Sequence, residues 1–124
     1  MKEVIAVVRM DMMNRTKTAL TEAGIDAFFA HEAQGRGKGF INPAVIEGIE
    51  SGYEEAAAVL GEKGKLYPKR ILTAVVPEES VDAIVEKIIE VNKSGKPGDG
   101  KIFVCPIGDA VRVRTGETGA KSIA

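Results

Sequence analysis

The sequence predicts an α+β fold in which an antiparallel sheet is covered on one face by two helices, the ferredoxin-like arrangement. Three observations lead to this prediction. The chain has 124 residues, which suits a single domain with one hydrophobic core. A pattern of strand, helix and strand occurs twice, and a long glycine-containing segment separates the two occurrences. Two such βαβ units pack most economically as one sheet, so we predict one domain over residues 1–124.

The first βαβ unit begins with a segment rich in Val and Ile, Lys2 to Arg9, which is typical of a buried strand. A helix is predicted from Asp11, a residue type common at N-caps, to Ala23, because the apolar residues recur at helical spacing. Gly24 can end this helix in the left-handed conformation. The second strand is then predicted from Ile25 to Ala33.

The second unit repeats this order. Arg70 to Val76 is predicted as a strand, Pro77 opens a helix, and Ile102 to Cys105 is predicted as another strand. The alternation in Ala110 to Arg114 predicts a short C-terminal strand. The apolar residues that share one face of the predicted helix are Val81, Ile84, Val85, Ile88 and Val91.

The composition excludes several classes of protein. Seventeen basic residues against eighteen acidic ones give a net charge of −1, so no global field attracts nucleic acid or an anionic membrane. The single cysteine, Cys105, excludes an internal disulfide and a cysteine-based zinc site, and suits a reducing cytosol. No segment approaches the length of a membrane span, and no cleavage site follows the short apolar start. We expect a cytoplasmic protein without membrane insertion or nucleic-acid binding.

A long loop is predicted between the two units, over about residues 35–68. Connections beyond about 12 to 15 residues are uncommon within compact domains and are usually functional or disordered. Basic residues mark both ends of this loop, where Lys38, Lys69 and Arg70 could share one cleft. Ala44 to Leu60 has enough Ala, Glu, Val and Ile to form a helix in some state. The alternative is a tolerated surface insertion with ordinary exposed lysines.

The densest chemical signal is the segment Ser94 to Val104. Its glycines at 95, 98 and 100 allow backbone N–H groups to turn toward an anion, and Lys101 adds a positive charge. Phosphate is therefore the predicted ligand. The segment is not a P-loop of a nucleotide hydrolase, because Ile102 supplies no hydroxyl for magnesium and because the segment precedes a strand instead of following one.

Two arginines follow this segment. On the predicted final strand, Arg112 and Arg114 would share one face and could clamp a polyphosphate. The alternative is an edge strand protected by charge, but the nearby glycine turn favours the phosphate interpretation. No nucleophile or acid/base constellation can be assigned to His31, the single histidine, so the sequence does not predict an enzyme.

Two motifs resemble a known family. Ser94 to Val104, followed by Val111 to Glu117, is similar to the C-terminal signature of PII signal-transduction proteins, and Glu32 to Gly39 resembles the base of their T-loop. The T-loop corresponds to about residues 35–68. The resemblance covers nearly the whole chain outside the middle of this loop. It implies a ferredoxin-like trimer that binds ATP or ADP in clefts between subunits, often with 2-oxoglutarate, and regulates nitrogen metabolism by T-loop contact.

The resemblance also implies which residues bind these effectors. Lys69 would hold a carboxylate of 2-oxoglutarate, and Gly39 would lie beside it. Magnesium would enter with the effectors and not at a separate metal site. The residues implied for the nucleotide are Gly35, Gly37 and Lys38 at the T-loop base, Gly98, Asp99, Gly100 and Lys101 in the glycine turn, and Arg112 and Arg114.

Three departures from the family pattern stand out. The family usually has Gly-Phe-Gly-Arg-Gln-Lys-Gly where this chain has the residues from Gly35 to Phe40, so the glutamine that ligates magnesium beside 2-oxoglutarate is missing. The tyrosine motif that receives a uridylyl group is absent, since Tyr53 lies in unrelated sequence. The T-loop is longer than the family pattern by roughly ten residues, a length that surface loops tolerate.

The long loop, with GRGKGF at its start and LYPKR at its end, is similar to one member of the paired nitrogen-fixation PII regulators of methanogenic archaea. This resemblance implies a hetero-oligomer with a second PII-type subunit that inhibits dinitrogenase until 2-oxoglutarate rises. One alternative is a PII protein that gates an ammonium transporter or regulates another nitrogen-assimilation enzyme. Transporter-gating T-loops carry an arginine near the tip, and Pro43 to Leu60 contains none. An alternative from another class is a small ferredoxin-like enzyme.

Overall fold

The computed structural model describes residues 1–36 and 66–124, which form one sheet and two helices. A short 3-10 turn precedes each helix, and another 3-10 turn, Gly119–Ile123, lies near the end of the chain. The predicted residues Gly37, Lys38 and Gly39, and most of the long loop, lie outside the described residues. The elements are β1 (Lys2–Arg9), α1 (Met13–Glu22), β2 (Phe29–Gly35), β3 (Tyr67–Val76), α2 (Val81–Asn92) and β4 (Lys101–Pro106).

The four strands form one antiparallel sheet in the order β2, β3, β1, β4. The two central strands, β1 and β3, pair over their whole common length, with Val8 opposite Arg70. Strand β4 forms one edge, and its first residue, Lys101, lies opposite Val7 of β1. This strand order, with one helix between the two strands of each repeat, confirms the predicted ferredoxin-like α+β fold.

The hydrophobic core lies between the sheet and the two helices. From Val4 to Val8 every second residue of β1 is buried, because successive side chains of a strand point to opposite faces. From α2, Ile84 and Ile88 are each only 2% exposed, as expected from the apolar face that the sequence predicts. The buried hydrophobic residues of this core are Val4, Ala6, Val8, Met13, Leu20, Leu72, Ala74, Val76, Ile84 and Ile88.

The opposite face of the sheet, which we call the open face, carries apolar side chains that the described part of the chain does not cover. Phe103 on β4 lies opposite Ile5 in the sheet register and is 48% exposed. Phe29 on β2 lies opposite Thr73 and is 72% exposed. Phe29 and Phe103 lie at opposite edges of the sheet in one row of the open face, with Thr73 and Ile5 between them, and exposed apolar side chains of this kind mark a surface suited to protein contact.

The predicted short C-terminal strand forms only as a single bridge between Val111 and Thr118. Between them the chain makes a tight turn, in which the Arg112 N–H donates to the Glu117 carbonyl (2.8 Å) and the Gly116 N–H donates to the Arg112 carbonyl (2.7 Å). Gly116 has a φ of 74°, a conformation that favours glycine and that extended strands do not contain. This segment therefore forms a local turn, although its alternating residue types predict a strand.

Two element boundaries also differ from the prediction. The first helix starts at Met13 after a 3-10 turn, and no side chain caps that turn or the helix, so Asp11 does not act as an N-cap. Strand β2 begins at Phe29, since Ile25 instead donates its N–H to the Leu20 carbonyl (2.8 Å) and packs on the core.

In the residues that the structure describes, neither helix has the length and apolarity needed to cross a membrane.

Candidate functional site

The glycine turn between α2 and β4, from Ser94 to Lys101, packs against the end of strand β1. Gly100 has a φ of 113°, and a Cβ added there would lie 1.9 Å from the Val7 carbonyl oxygen. Real Cβ atoms do not approach backbone that closely, so only glycine fits at this position. The close approach fixes where the turn, which we call the glycine loop, leaves the sheet.

The Asp99 carboxylate holds the glycine loop together from inside. Its Oδ2 accepts hydrogen bonds from the backbone N–H groups of Ser94 (2.7 Å) and Gly95 (2.9 Å), and its Oδ1 accepts one from the Ser94 hydroxyl. The Ser94 hydroxyl and backbone N–H, with smaller contributions from Gly95 and Arg9, lower the pKa of Asp99 to about 2. Its side chain is thus engaged within the loop, so any contact of Asp99 with an anion would use its backbone.

Arg9, the last residue of β1, fastens the glycine loop to the sheet. Its Nη1 lies 2.7 Å from Asp99 Oδ1 and 3.3 Å from Ser94 Oγ, and its Nη2 donates to the Pro97 carbonyl (3.0 Å). Sequence reasoning missed this residue because it is an ordinary basic strand end, about ninety positions away from the loop. Only the sheet register, which places the end of β1 beside the start of β4, brings the two together.

Lys69 lies beside the glycine loop. It lies opposite Arg9 in the sheet, is 8% exposed, and donates from Nζ to the Gly98 carbonyl at 3.3 Å. Burial lowers the pKa of Lys69, and the positive charge of Arg9 lowers it further. Lys69 and Arg9, both positively charged, therefore lie next to each other on the open face. They lie beside the glycine loop, whose sequence predicts phosphate binding.

The geometry of the glycine loop suits an anion. Gly98 and Gly100 have φ values of 97° and 113°, and neither N–H group donates a hydrogen bond to a loop or turn carbonyl of the described residues. Backbone N–H groups in such turns form concave sites for phosphate oxygens. Lys101 is exposed at the start of β4 and adds an ammonium group beside them. Buried Lys69 and half-buried Arg9 supply fixed positive charge.

The two C-terminal arginines have a different environment. Arg112 Nη2 donates to the carbonyls of Ala124 (2.9 Å) and Ser122 (3.3 Å), and its Nη1 lies 3.6 Å from the Glu117 carboxylate. Arg114 lies in the turn itself. Over residues 1–36 and 66–124, no hydrogen bond or ion pair joins this turn to the glycine loop. Within the described residues, the two predicted parts of the phosphate site are therefore held in place separately.

The described part of the T-loop base contains one of its predicted site residues. Gly35 ends β2 and lies opposite Tyr67, so the two ends of the long loop leave the sheet as neighbours. On the same two strands, Arg70 forms an ion pair with Glu32 (3.4 Å). Arg70 is therefore engaged away from the cleft that the sequence assigns to it, whereas Lys69 points to the glycine loop.

Within the described residues, no second candidate for a metal site or a catalytic site is found. They contain no group of three or more His, Cys, Asp or Glu side chains that could hold a metal ion. His31 lies on β2 opposite Ile71, and within residues 1–36 and 66–124 it forms no hydrogen bond or ion pair with a nucleophile or a carboxylate. The glycine loop with Lys69 and Arg9 is therefore the candidate site that the geometry favours.

Comparisons with known proteins agree with this geometry. The family model "Nitrogen regulatory protein P-II" matches residues 1–117. A protein of Methanobacterium ivanovii called "Nitrogen fixation nifHD region GlnB-like protein 2" is 43% identical over 124 residues, covering 99% of this chain and 99% of that protein. Its namesake from Methanococcus maripaludis is 44% identical over 126 residues, covering 99% of this chain and all of that protein.

Among solved structures, the PII protein of Arabidopsis thaliana bound to citrate is similar to this chain, with a TM-score of 0.72 and 29% identity. The match covers 98% of this chain and 88% of that one. The resemblance of the sequence to PII proteins, and to those of methanogen nitrogen-fixation regions in particular, is thus confirmed. The chain belongs to the nitrogen regulatory protein P-II family, whose members are regulatory signal transducers.

Proposed function

We propose that this chain senses nitrogen status by binding ATP or ADP and 2-oxoglutarate, and that it inhibits dinitrogenase by protein contact when nitrogen is sufficient. The observation that carries the nucleotide part is the glycine loop, which Asp99, Arg9 and Lys69 hold in one conformation. A loop that is ordered before binding loses little conformational entropy when it binds phosphate. The N–H groups of Gly98 and Gly100 and the ammonium of Lys101 would contact the phosphates.

The effector site would lie next to the nucleotide. Lys69 would attract a carboxylate of 2-oxoglutarate, and the lowered pKa of this lysine would rise as the anion approached. Gly37, Lys38 and Gly39 would complete the cleft from the T-loop base, with magnesium entering on the nucleotide. The similar Arabidopsis protein was solved with citrate, another small polycarboxylate, which supports a carboxylate effector here. Without the usual glutamine, a second PII-type subunit could supply the missing magnesium ligand.

An oligomer would complete the nucleotide site. The open face exposes Phe29 and Phe103, which a homotrimer or a hetero-oligomer of PII-type subunits would bury. Arg112 and Arg114 have no hydrogen bond or ion pair to the glycine loop in the described residues, so a nucleotide that contacts both regions would fit a cleft between subunits. Arg112 would then have to exchange the carbonyls that it now contacts for phosphate oxygens.

The target is inferred from the relatives. Two of them are named for the nitrogen-fixation region of methanogens, which supports a target in nitrogen fixation and hence in the cytoplasm. The long T-loop, about residues 35–68, is the segment proposed to contact dinitrogenase. Effectors would release the target if they bind the free conformation more tightly than the bound one, because a ligand can shift an equilibrium only through such a difference.

The functional experiment is an acetylene-reduction assay of the purified nitrogenase from the same source, with this protein alone and with its sister PII subunit. We expect inhibition that 2-oxoglutarate with ATP relieves. The double variant Arg112→Ala, Arg114→Ala should bind ATP poorly and therefore should stay inhibitory in the presence of 2-oxoglutarate. Relief by 2-oxoglutarate in a double variant that no longer binds ATP would contradict the proposal, as would the absence of inhibition under every combination.

A further inference from the structure

Arg112 and Arg114 lie two residues apart in the same turn, but their guanidinium groups have different surroundings. Within residues 1–36 and 66–124, Arg114 is exposed and forms no hydrogen bond or ion pair. The side chain of Arg112 is only 31% exposed, because residues near the end of the chain fold back onto it. One of the two arginines proposed for the nucleotide can therefore meet an anion at once, whereas the other already has partners.

Most partners of Arg112 belong to residues 119–124, which we call the 119–124 segment and which contain the 3-10 turn Gly119–Ile123. Arg112 Nη2 donates to the carbonyls of Ala124 (2.9 Å) and Ser122 (3.3 Å). The last carbonyls of a helical turn lack partners within the turn, and a basic side chain that binds them stabilises it. The 119–124 segment therefore occupies donors with which Arg112 could bind phosphate.

Contacts at the start of this segment hold it in that position. The Gly119 N–H donates to the Ala110 carbonyl (3.0 Å) and to Asp109 Oδ1 (3.0 Å), and the Ser122 hydroxyl donates to the Gly119 carbonyl (2.6 Å). Gly119 has a φ of 68°, a left-handed conformation that favours glycine. A Cβ added there would have no atom within 4 Å beyond the adjacent residues. A side chain at this position would therefore strain the backbone of the segment without a steric clash.

Phosphate oxygens would compete with these carbonyls for Arg112. An arginine and a phosphate carry opposite charges and often form two parallel hydrogen bonds, which a backbone carbonyl cannot offer. A phosphate that displaced the carbonyls would satisfy Arg112 better, but the 119–124 segment would lose the contacts that hold it over the guanidinium. The measured affinity for phosphate would then be reduced by the fraction of molecules in which the segment covers Arg112.

We propose that the 119–124 segment is autoinhibitory: it covers Arg112 in the free protein and is displaced when a nucleotide phosphate binds there. The inference rests on the function proposed above, since it takes Arg112 as a phosphate-binding residue. It adds that the two arginines of the turn contribute unequally to binding. Arg114 is available from the start, and Arg112 becomes available only after the segment has moved.

The test is calorimetric titration of the full chain with ATP and magnesium. Gly119→Val disfavours the left-handed conformation and should open the segment, so the affinity for ATP should rise about fivefold. In an Arg112→Ala background the same substitution should have no effect, because the segment then covers no phosphate-binding group. In an Arg114→Ala background the fivefold gain should persist. Ser122→Ala loses one hydrogen bond without a change of charge and should raise the affinity about twofold.

Gly24→Val is the matched control. Gly24 has a φ of 88°, and an added Cβ would likewise have no atom within 4 Å beyond the adjacent residues. The substitution therefore introduces a similar backbone strain, but it does so after helix α1 and not in the 119–124 segment. The affinity for ATP should stay at the wild-type value. A gain equal to that of Gly119→Val would show that the effect does not come from the segment and would overturn the proposal.

NMR of the isotope-labelled protein during the same titration separates failure of this inference from failure of the nucleotide site. We expect the amide signals of Gly119 and Ser122 to shift at the same ATP concentration as those of Gly98 and Gly100. Shifts of the glycine loop without shifts of the 119–124 segment, or equal affinity of Gly119→Val and the wild type, would overturn the autoinhibition and leave the nucleotide site intact. No saturable shift in either protein would contradict nucleotide binding itself, and the autoinhibition with it.

Discussion

The glycine loop and the Arg112 turn both contain groups suited to bind phosphate, but they are held in place in opposite ways. The glycine loop is fastened by distant residues, since Arg9 and Lys69 reach it from the two central strands. The turn is local, because the partners of Arg112 among the described residues are Glu117 and carbonyls of the last few residues. The shape of the loop therefore depends on the whole sheet, whereas that of the turn depends on about a dozen neighbouring residues.

This difference indicates where each region should be sensitive to mutation. A substitution of Arg9 or Lys69, which hold the glycine loop, should alter the conformation of the loop and of the strand ends that it contacts. A change in the turn should remain local, and it should leave Arg112 available to exchange its carbonyl partners for another anion. The following predictions test this contrast, in order of decreasing expected effect.

The largest effect is expected for Gly100→Ala. The added Cβ would lie 1.9 Å from the Val7 carbonyl oxygen, and the φ of 113° is strained for any L-residue with a side chain. We expect the free energy of unfolding to fall by at least about 2 kcal/mol, measured by urea denaturation. Gly108→Ala is the matched control, because a Cβ there has no atom within 4 Å, and it should cost less than about 0.5 kcal/mol. Equal stability of the two variants would contradict the close approach.

Asp99→Asn should come next. The amide retains the size of the side chain but loses the charge that Arg9 and the Ser94 N–H recognise. If the ordered loop binds phosphate, we expect the affinity for ATP to fall about tenfold, as measured by calorimetry. Asp26→Asn, which removes an exposed carboxylate from the segment before β2, should leave the affinity unchanged. An Asp99→Asn variant with normal affinity would mean that the order of the loop has no part in binding.

The pH dependence of the loop has a definite sign. The pKa of Asp99 is lowered from 3.8 to about 2 by its hydrogen bonds and by Arg9, so folding favours the ionised carboxylate. Its stabilising contribution is therefore complete above about pH 4, the ordinary range of aspartate, and is lost as the pH falls through about 2. The amide NMR signals of Ser94 and Gly95 should follow this transition, with a midpoint near 2. A midpoint near 4 would indicate that the contacts do not form.

The smallest effect is expected for Glu117→Gln in the Arg112 turn. This ion pair spans 3.6 Å, both side chains are about a third exposed, and Arg112 keeps its carbonyl partners. We expect a loss of less than about 0.5 kcal/mol, measured by thermal unfolding. The exposed pair between Lys2 and Glu78 (3.7 Å) offers a reference, since Glu78→Gln should have a similarly small effect. A much larger loss for Glu117→Gln would show that the turn is not a local structure.

The same contrast explains what the sequence could and could not predict. Strands β1 and β3 and helix α2 follow from hydrophobic periodicity, because burial on one face dictates which positions are apolar. The glycine loop was also recognisable, since glycines at positive φ and a following lysine are local features. The contacts of Arg9 with this loop could not be predicted from the sequence. They depend on the register between strands, which brings together residues that lie far apart in the chain.

The C-terminal segment shows the limit of alternation as a signal. Ala110 to Arg114 alternates like a strand, but a strand also needs a partner, and only Thr118 pairs with Val111. Val111 and Val113 are 61% and 99% exposed, so the apolar face of this segment does not pack on the core of the chain. The chemistry of Arg112 and Arg114 is therefore readable from the sequence, whereas no hydrogen bond or ion pair of the described residues joins them to the glycine loop.

The central claim is that the glycine loop binds the phosphates of a nucleotide. The most direct measurement is calorimetric titration of the protein with ATP and magnesium, with and without 2-oxoglutarate, for the wild type, Lys101→Gln and Lys96→Gln. Both lysines belong to the same exposed loop, but only Lys101 is proposed to contact phosphate. We predict binding that Lys101→Gln weakens at least about tenfold and that Lys96→Gln leaves unchanged. No binding of ATP, or equal binding by both variants, would contradict the account.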